Sequence, residues 1–201
     1  EEEKEKSILL FRKKFEPNIN FIHDRIKTKN VLNFLHSGHA ADIINVLPTI
    51  KKLSETHKCN LYINLNKPIK FYYKHPAGKF YLNKKIYLML EPLLKRQEYL
   101  NEIAIYNNQN IDINFDLLRE LPLNLLFDNV TYASVITGVQ LDLTAPFISA
   151  DNYNEHKDKI VIQRTFRYRN QFISYKFLND FNNLLFVGTI EEFNDLKREI
   201  K

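Results

Sequence analysis

The sequence predicts an α/β fold built on an open parallel sheet. Three observations lead there. An apolar run at 31–35 breaks into the small-residue turn His36-Ser37-Gly38-His39-Ala40-Ala41, and an acid, Asp42, then opens a helix-period segment. A second apolar run at 61–65 follows that segment, which is the order of a β-α-β crossover between parallel strands. From about residue 155 the same alternation of strand, turn and helix begins again. Alternation of this kind buries a parallel sheet between layers of helix.

Composition bounds what such a fold does. Of 201 residues 44 % are apolar, enough for a real core, and four Gly with seven Pro exclude a low-complexity chain. The formal charge of +5 arises from 29 bases interspersed with 24 acids. Nucleic-acid binding needs bases clustered on one face, so nucleic acid is not the expected partner. A local basic pocket for a phosphorylated small molecule fits the charge better. Cys59 is the one cysteine, which excludes an internal disulfide. With no signal-peptide pattern and no apolar run of spanning length, a reducing, cytoplasmic setting without a membrane span is expected. The opening Glu-Glu-Glu-Lys-Glu-Lys lacks an initiator Met and is read as the solvated lead-in of a processed chain or a fragment.

The elements follow in order. Residues 1–29 form an N-terminal extension, in which apolar positions from Ile8 to Ile26 suggest two short helical pieces broken at Pro17. Residues 30–142 form the first α/β domain. Its first helix runs over 42–54, with Ile43, Leu47, Ile50 and Leu53 at helical spacing and a bend at Pro48. A polar turn at 55–60 leads to the strand at 61–65. Residues 66–85 read as a loop or hairpin turning at Pro76 to Gly78. A helix at 86–100, strands at 103–106 and 111–115, and helices at 116–126 and 129–138 complete the domain. Residues 143–154, rich in Thr, Pro, Ser, Asp and Asn, read as a linker. Residues 155–201 start a second domain with strands at 159–163 and 184–187 and a helix at 173–181. Its last helix opens on Thr189 with Glu192 three residues on, a capping box. Two strands make only part of a doubly wound domain.

The candidate site is the turn after the first strand, because open α/β sheets bind ligands at the carboxyl ends of their strands. Asp42 has two readings. It is a first-turn acid stabilised by free helix amides, or it is a general base that takes a proton from an attacking hydroxyl. His36, Ser37, Gly38 and His39 are the candidate substrate contacts. No Asp, Glu or Cys joins the two histidines at a metal-ligand spacing, so no metal is expected. A single glycine is not a dinucleotide fingerprint. In the second domain Arg164, Thr165, Arg167 and Arg169 follow a strand, with Phe166 and Tyr168 among them. Guanidinium forks suit phosphate oxygens. The alternative is a solvated charged loop.

The ordered series resembles a known family. The turn, acid and Leu-Pro-Thr-Ile of 37–53 are similar to the N-terminal signature of glycosyltransferases of the ADP-heptose (lipopolysaccharide heptosyltransferase) type, more closely to their divergent phage and environmental relatives. Pro92-Leu93-Leu94 with Gln97 and Tyr99, the Arg-rich turn at 159–170, and Phe186-Val187-Gly188 before an acidic helix look like later parts of the same pattern. The resemblance implies a GT-B architecture, two Rossmann-like domains facing across a cleft, here with the second one incomplete. It implies metal-independent transfer of a sugar from a nucleotide-sugar donor to a glycan or other hydroxyl acceptor, with no further cofactor. Asp42 takes the position of the base, and Arg164, Thr165 and Arg167 fall where donor phosphates are held. Ala41 stands where the family usually has Gly. The alternative is a non-catalytic binding or assembly module on the same scaffold.

Overall fold

The structure is a computed structural model and describes residues 2–69, 78–120, 129–150, 154–166 and 169–200. The chain forms two compact units, Glu1–Ala150 and Asp151–Lys201.

In the first unit the described elements run α1 (Glu2–Thr28), β1 (Val31–His36), α2 (Ala40–Ser54), β2 (Lys58–Ile63), α3 (Lys84–Lys95), β3 (Glu102–Ile105), β4 (Ile113–Asn114) and α4 (Asn129–Thr137). The strands form one sheet in the order β3-β2-β1-β4, every pair parallel. β1 and β2 are in full register from Val31 against Lys58 to His36 against Ile63. Parallel strands are covered on both faces and so read as continuous apolar runs. Leu32, Phe34, Leu61, Ile63 and Ile113 are accordingly buried. α2 contributes Ile43, Val46, Leu47, Ile50 and Leu53 to the same core, one stripe of an amphipathic helix. Phe34 stacks on Phe115 just past β4, with ring centroids 5.4 Å apart. Each of these side chains is worth about 1.5–3 kcal/mol of burial.

The strand order fixes where a ligand can sit. The chain moves outward from β1 through β2 to β3 and then returns to lay β4 on the other side of β1. The carboxyl ends of β1 and β4 therefore flank a topological switch point, as in a Rossmann-like sheet.

Several boundaries differ from the sequence reading. α1 continues through Pro17 as one helix. Proline removes a single backbone bond. Buried Phe15 and Ile22, with Ile19 and Ile26 packed beside them, hold the helix on the core on both sides of that gap. The side chains of Ile8, Leu9 and Phe11 lie outside the described residues. β2 begins at Lys58, so Asn60 is a strand residue and not the end of a turn. Its amide is satisfied within a ladder across the sheet. Asn101 donates to Asn60 at 2.8 Å, Asn60 to Asn33 at 2.9 Å, and Asn33 to the Asn110 carbonyl at 2.8 Å. α3 starts at Lys84 behind the N-cap Asn83, whose side chain accepts from Ile86 N–H, and it stops at Lys95. The predicted helix at 116–126 begins as a 3-10 turn, Phe115–Arg119, and 121–128 lie outside the described residues. The turn predicted at Pro76 falls within 70–77, also outside them. α4 ends as expected at Gly138, whose φ of 72° is the left-handed cap that favours glycine.

The predicted linker is not loose over its first half. Gln97 is buried and reads Ser149 like a neighbouring strand: its Oε1 accepts Ser149 N–H at 2.8 Å, and its Nε2 donates to the Ser149 carbonyl at 3.0 Å. Tyr99 Oη donates to the Phe147 carbonyl at 2.7 Å and Lys51 Nζ to that of Pro146 at 2.6 Å. Residues 146–149 are thus strapped to the first unit. Burial pushes the Tyr99 hydroxyl far above its usual range, so it stays a donor at neutral pH. Asp151 and Asn152 lie outside the described residues.

The second unit pairs β5 (Ile160–Ile162) with β6 (Leu184–Phe186) in parallel and ends on α5 (Ile190–Leu196). The helix predicted at 173–181 is a 3-10 helix, Tyr175–Asp180, opened by Ser174. No described helix in the chain is long and apolar enough to cross a membrane.

Candidate functional site

The turn after β1 is built around two backbone constraints. His36, the last residue of β1, turns its Nδ1 back to accept the Gly38 N–H at 2.9 Å. His39 then caps α2, and the Asp42 carboxylate accepts the His39 backbone N–H at 2.9 Å. Gly38 has no room for a side chain. A Cβ there would lie 2.5 Å from the Arg119 guanidinium and from the His36 ring, and 2.7 Å from Asp42 Cβ. The glycine is required by close approach.

Across the switch point, the segment after β4 delivers Asp116 and Arg119. Asp116 is 6 % exposed. Its Oδ1 accepts the Ser37 N–H at 2.9 Å, and its Oδ2 accepts Lys67 Nζ at 2.6 Å. Burial works against its charge, but Lys67 and the Ser37 N–H and hydroxyl outweigh it and hold the carboxyl below the usual carboxylate range. Arg119 donates through Nη2 to Asp42, while its Nη1 lies 3.7 Å from Asp116. Its guanidinium also rests on the Tyr81 ring, 4.2 Å from the centroid.

The hairpin-like pairing of 66–69 with 79–82 supplies the remaining wall. Asn66 N–H donates to the Leu82 carbonyl at 2.8 Å and Tyr81 N–H to the Lys67 carbonyl at 3.0 Å. This pairing sets Lys67 and Tyr81 side by side. His39 Nδ1 donates to the Tyr81 carbonyl at 2.7 Å, and the two rings meet edge to face. Asn64, just past β2, donates to Ser37 Oγ at 3.1 Å.

His36 is buried and neutral. Burial is the larger cause, and the Arg119 cation reinforces it against Asp116 and Asp42, so the imidazole is pushed down to about 4. With Nδ1 accepting, the ring proton is on Nε2.

The sequence-predicted residues are therefore distributed as follows. His36, Ser37, Gly38, His39 and Asp42 come together at the carboxyl edge of the sheet. Ser37 is fully buried and His36 nearly so, so both act as framework for the turn. Asp42 is 35 % exposed and remains reachable. Asp116, Lys67, Arg119, Tyr81 and Asn64 complete the cluster and were not singled out by sequence. The strand-end rule that selects Asp42 also selects Asp116, which follows the short strand predicted at 111–115.

In the second unit Arg164 is 5 % exposed. It donates to Asp195 at 2.6 Å and to Glu199 at 3.1 Å, and it lies over the Tyr175 ring. Arg169 pairs with the same Asp195. The guanidinium charge holds the Asp195 carboxyl below its usual range. A cavity of about 160 Å³ lies against Arg164, Arg169, Asn170 and Glu199. Thr165 accepts the Arg169 N–H on its carbonyl at 2.9 Å. Arg167 and Tyr168 lie outside the described residues. Both described arginines are thus engaged in ion pairs that tie the loop after β5 to α5 and to the segment following it.

Among the described residues no group of three or more His, Cys, Asp or Glu is arranged to hold a metal ion. Comparison with protein-family models, curated proteins and solved structures finds no match to this chain.

Proposed function

We propose that the first unit is the acceptor side of a metal-independent glycosyltransferase of the GT-B kind, with Asp42 as its base. One observation carries the reading: a solvent-reachable carboxylate stands at the switch point of a parallel sheet, where such folds bind their ligands. In the reaction Asp42 takes the proton of an acceptor hydroxyl. The freed oxygen attacks the anomeric carbon of a nucleotide-sugar, and the bond from that carbon to the nucleoside diphosphate breaks. Asp116 is the wrong group for this step, because it is buried and already saturated by Ser37 and Lys67. His36 is equally enclosed. In this reading the donor phosphates fall to Arg164, Thr165, Arg167 and Arg169, and a phosphate must displace Asp195 and Glu199 from Arg164 and Arg169.

The test is release of nucleoside diphosphate from a panel of nucleotide-sugars, with wild-type chain and Asp42→Asn compared. Loss of release in the variant, at unchanged amide protection in β1 and α2, supports the base. Equal turnover in the two proteins removes it.

A second reading is a non-catalytic binding or assembly module, and a specific observation favours it. Arg164 and Arg169 are both bound to carboxylates of their own unit. This reading predicts no heat of binding for any nucleoside diphosphate. Saturable heat that disappears in Arg169→Ala rejects it.

A further inference from the structure

We propose that Arg119 is a latch on Asp42, released when a phosphate or carboxylate group of the ligand takes its place. This rests on the reading of Asp42 as a reachable functional carboxylate and adds a means of controlling it. Two cations, Lys67 and Arg119, converge on the carboxylate of Asp116 from its two oxygens. Asp116 is buried and fixed by the Ser37 N–H. The Asp42–Arg119 pair is different, with side chains 35 % and 25 % exposed. It is the direct hydrogen bond of Arg119, the contact to Asp116 being the longer at 3.7 Å, but water and a dissolved anion can compete at such a part-exposed pair. Arg119 has a pivot, since its guanidinium plane rests on Tyr81. It packs directly on Gly38, where a Cβ would hold it off, so it reaches Asp42 from above the turn. A guanidinium carries five N–H donors in a fork suited to an oxyanion, so it can leave Asp42 for a ligand and keep its stacking. Lys67, a third exposed, stands beside it as a second cation.

The consequence is a coupling between binding and chemistry. While Arg119 holds Asp42, the carboxylate accepts from Arg119 and from His39 N–H. An arriving oxyanion draws Arg119 away and leaves Asp42 an open acceptor for a hydroxyl proton. The ligand class is an acceptor or donor with a phosphate or carboxylate near the hydroxyl that reacts.

The experiment titrates the full chain with inorganic phosphate and, separately, with acetate. The readout is the Arg119 Nε–H resonance in a ¹H–¹⁵N spectrum, identified by its loss in Arg119→Lys. A saturable shift is expected with at least one anion, and the tighter of the two names the ligand group. Asp42→Asn removes the competing charge and is expected to tighten that anion about fivefold, the scale of one partly exposed ion pair. An unsaturable response to both anions overturns the latch, as does equal or weaker binding in Asp42→Asn. The outcome is separable from the base assignment. A variant that tightens the anion yet transfers sugar normally keeps the latch and loses the base. One that loses transfer without tightening keeps the base and loses the latch.

Discussion

The two units solve the same local problem with different materials. In the first, four parallel strands lie against helices, and the largest side chains, Phe34, Phe115 and Ile43 among them, are fully buried. In the second, Ile160, Val161 and Val187 are more than a third exposed, and the described residues bury two large apolar side chains, Leu178 and Leu196. What that unit has is charge: Arg164, Arg169, Asp195, Glu199 and Glu192 knit the loop after β5 to α5 and the segment after it. The contrast teaches where function can reside. A polar cluster on a well-buried sheet is positioned by its scaffold, which leaves the partly exposed Asp42, Arg119 and Lys67 on its solvent side. A polar cluster that substitutes for a core is occupied by structure.

The strongest way to break the comparison is at the two cores. Phe34→Ala removes a fully buried ring that stacks on Phe115 and is expected to cost the first unit about 3–5 kcal/mol. Leu178→Ala in the second unit is expected to cost about half of that, because its surroundings are partly open and can close over the gap. Hydrogen exchange of the β1–β2 amides and of the β5–β6 amides reads the two separately. Equal losses contradict the contrast.

Protonation separates the units next. His36 in the folded chain lies at about 4, below its ordinary 6.5. The unfolded chain therefore binds the extra proton first. The contribution is complete above pH 6.5 and is lost as pH falls toward 4, at most about 3 kcal/mol in all. Urea unfolding of the first unit at pH 7 and pH 5 measures the slope, and His36→Asn, whose amide oxygen can accept from Gly38 N–H in place of Nδ1, is expected to flatten it. In the second unit Arg164→Met is expected to cost about 2 kcal/mol, since it leaves Asp195 and Glu199 without a buried partner while both keep access to water. Retention of α5 protection in Arg164→Met rejects the view that charge does the work of a core there.

Legibility in the sequence follows the range of the interactions. β1, β2 and β6 are readable because each centres on a mainly apolar run bounded by turn residues. Asp42 is readable because a strand end, a glycine and a helix start are adjacent in sequence. Its partner is not, since Arg119 lies 77 residues further on, and Ser37 meets Asp116 across 79. Taken singly, Asn60 and Asn101 look like turn residues and Asn33 like an interruption of an apolar strand. Only strand register shows that they satisfy one another. Pro17 looks like a break because the loss of a backbone bond is local, whereas the packing of Phe15 and Ile22 that outweighs it is not.

The finest comparison is between two helix starts of the same design. Gly38-His39-Ala40-Ala41-Asp42 and Gly188-Thr189-Ile190-Glu191-Glu192 both follow an apolar strand. Each has a glycine with no space for a Cβ, a cap residue, and an acid three places on that accepts the cap N–H. Thr189 announces its box in sequence; His39, a poor cap former, conceals the equivalent one. The acids differ in their second partner. Glu192 is 7 % exposed and its other oxygen accepts the backbone N–H of Phe166 at 3.0 Å, a group that cannot move away without unfolding the loop. Asp42 instead binds a side-chain guanidinium, and both partners are partly exposed. Glu192→Gln is accordingly expected to cost its unit about 1 kcal/mol, by loss of charge at the helix start and at a buried amide. Asp42→Asn is expected to cost its own unit about 0.5 kcal/mol or less, because its pair is solvated. Matched thermal unfolding of the two variants decides it: a larger penalty at Asp42 makes that carboxylate a framework group like Glu192, and its place at the switch point then has no chemical meaning.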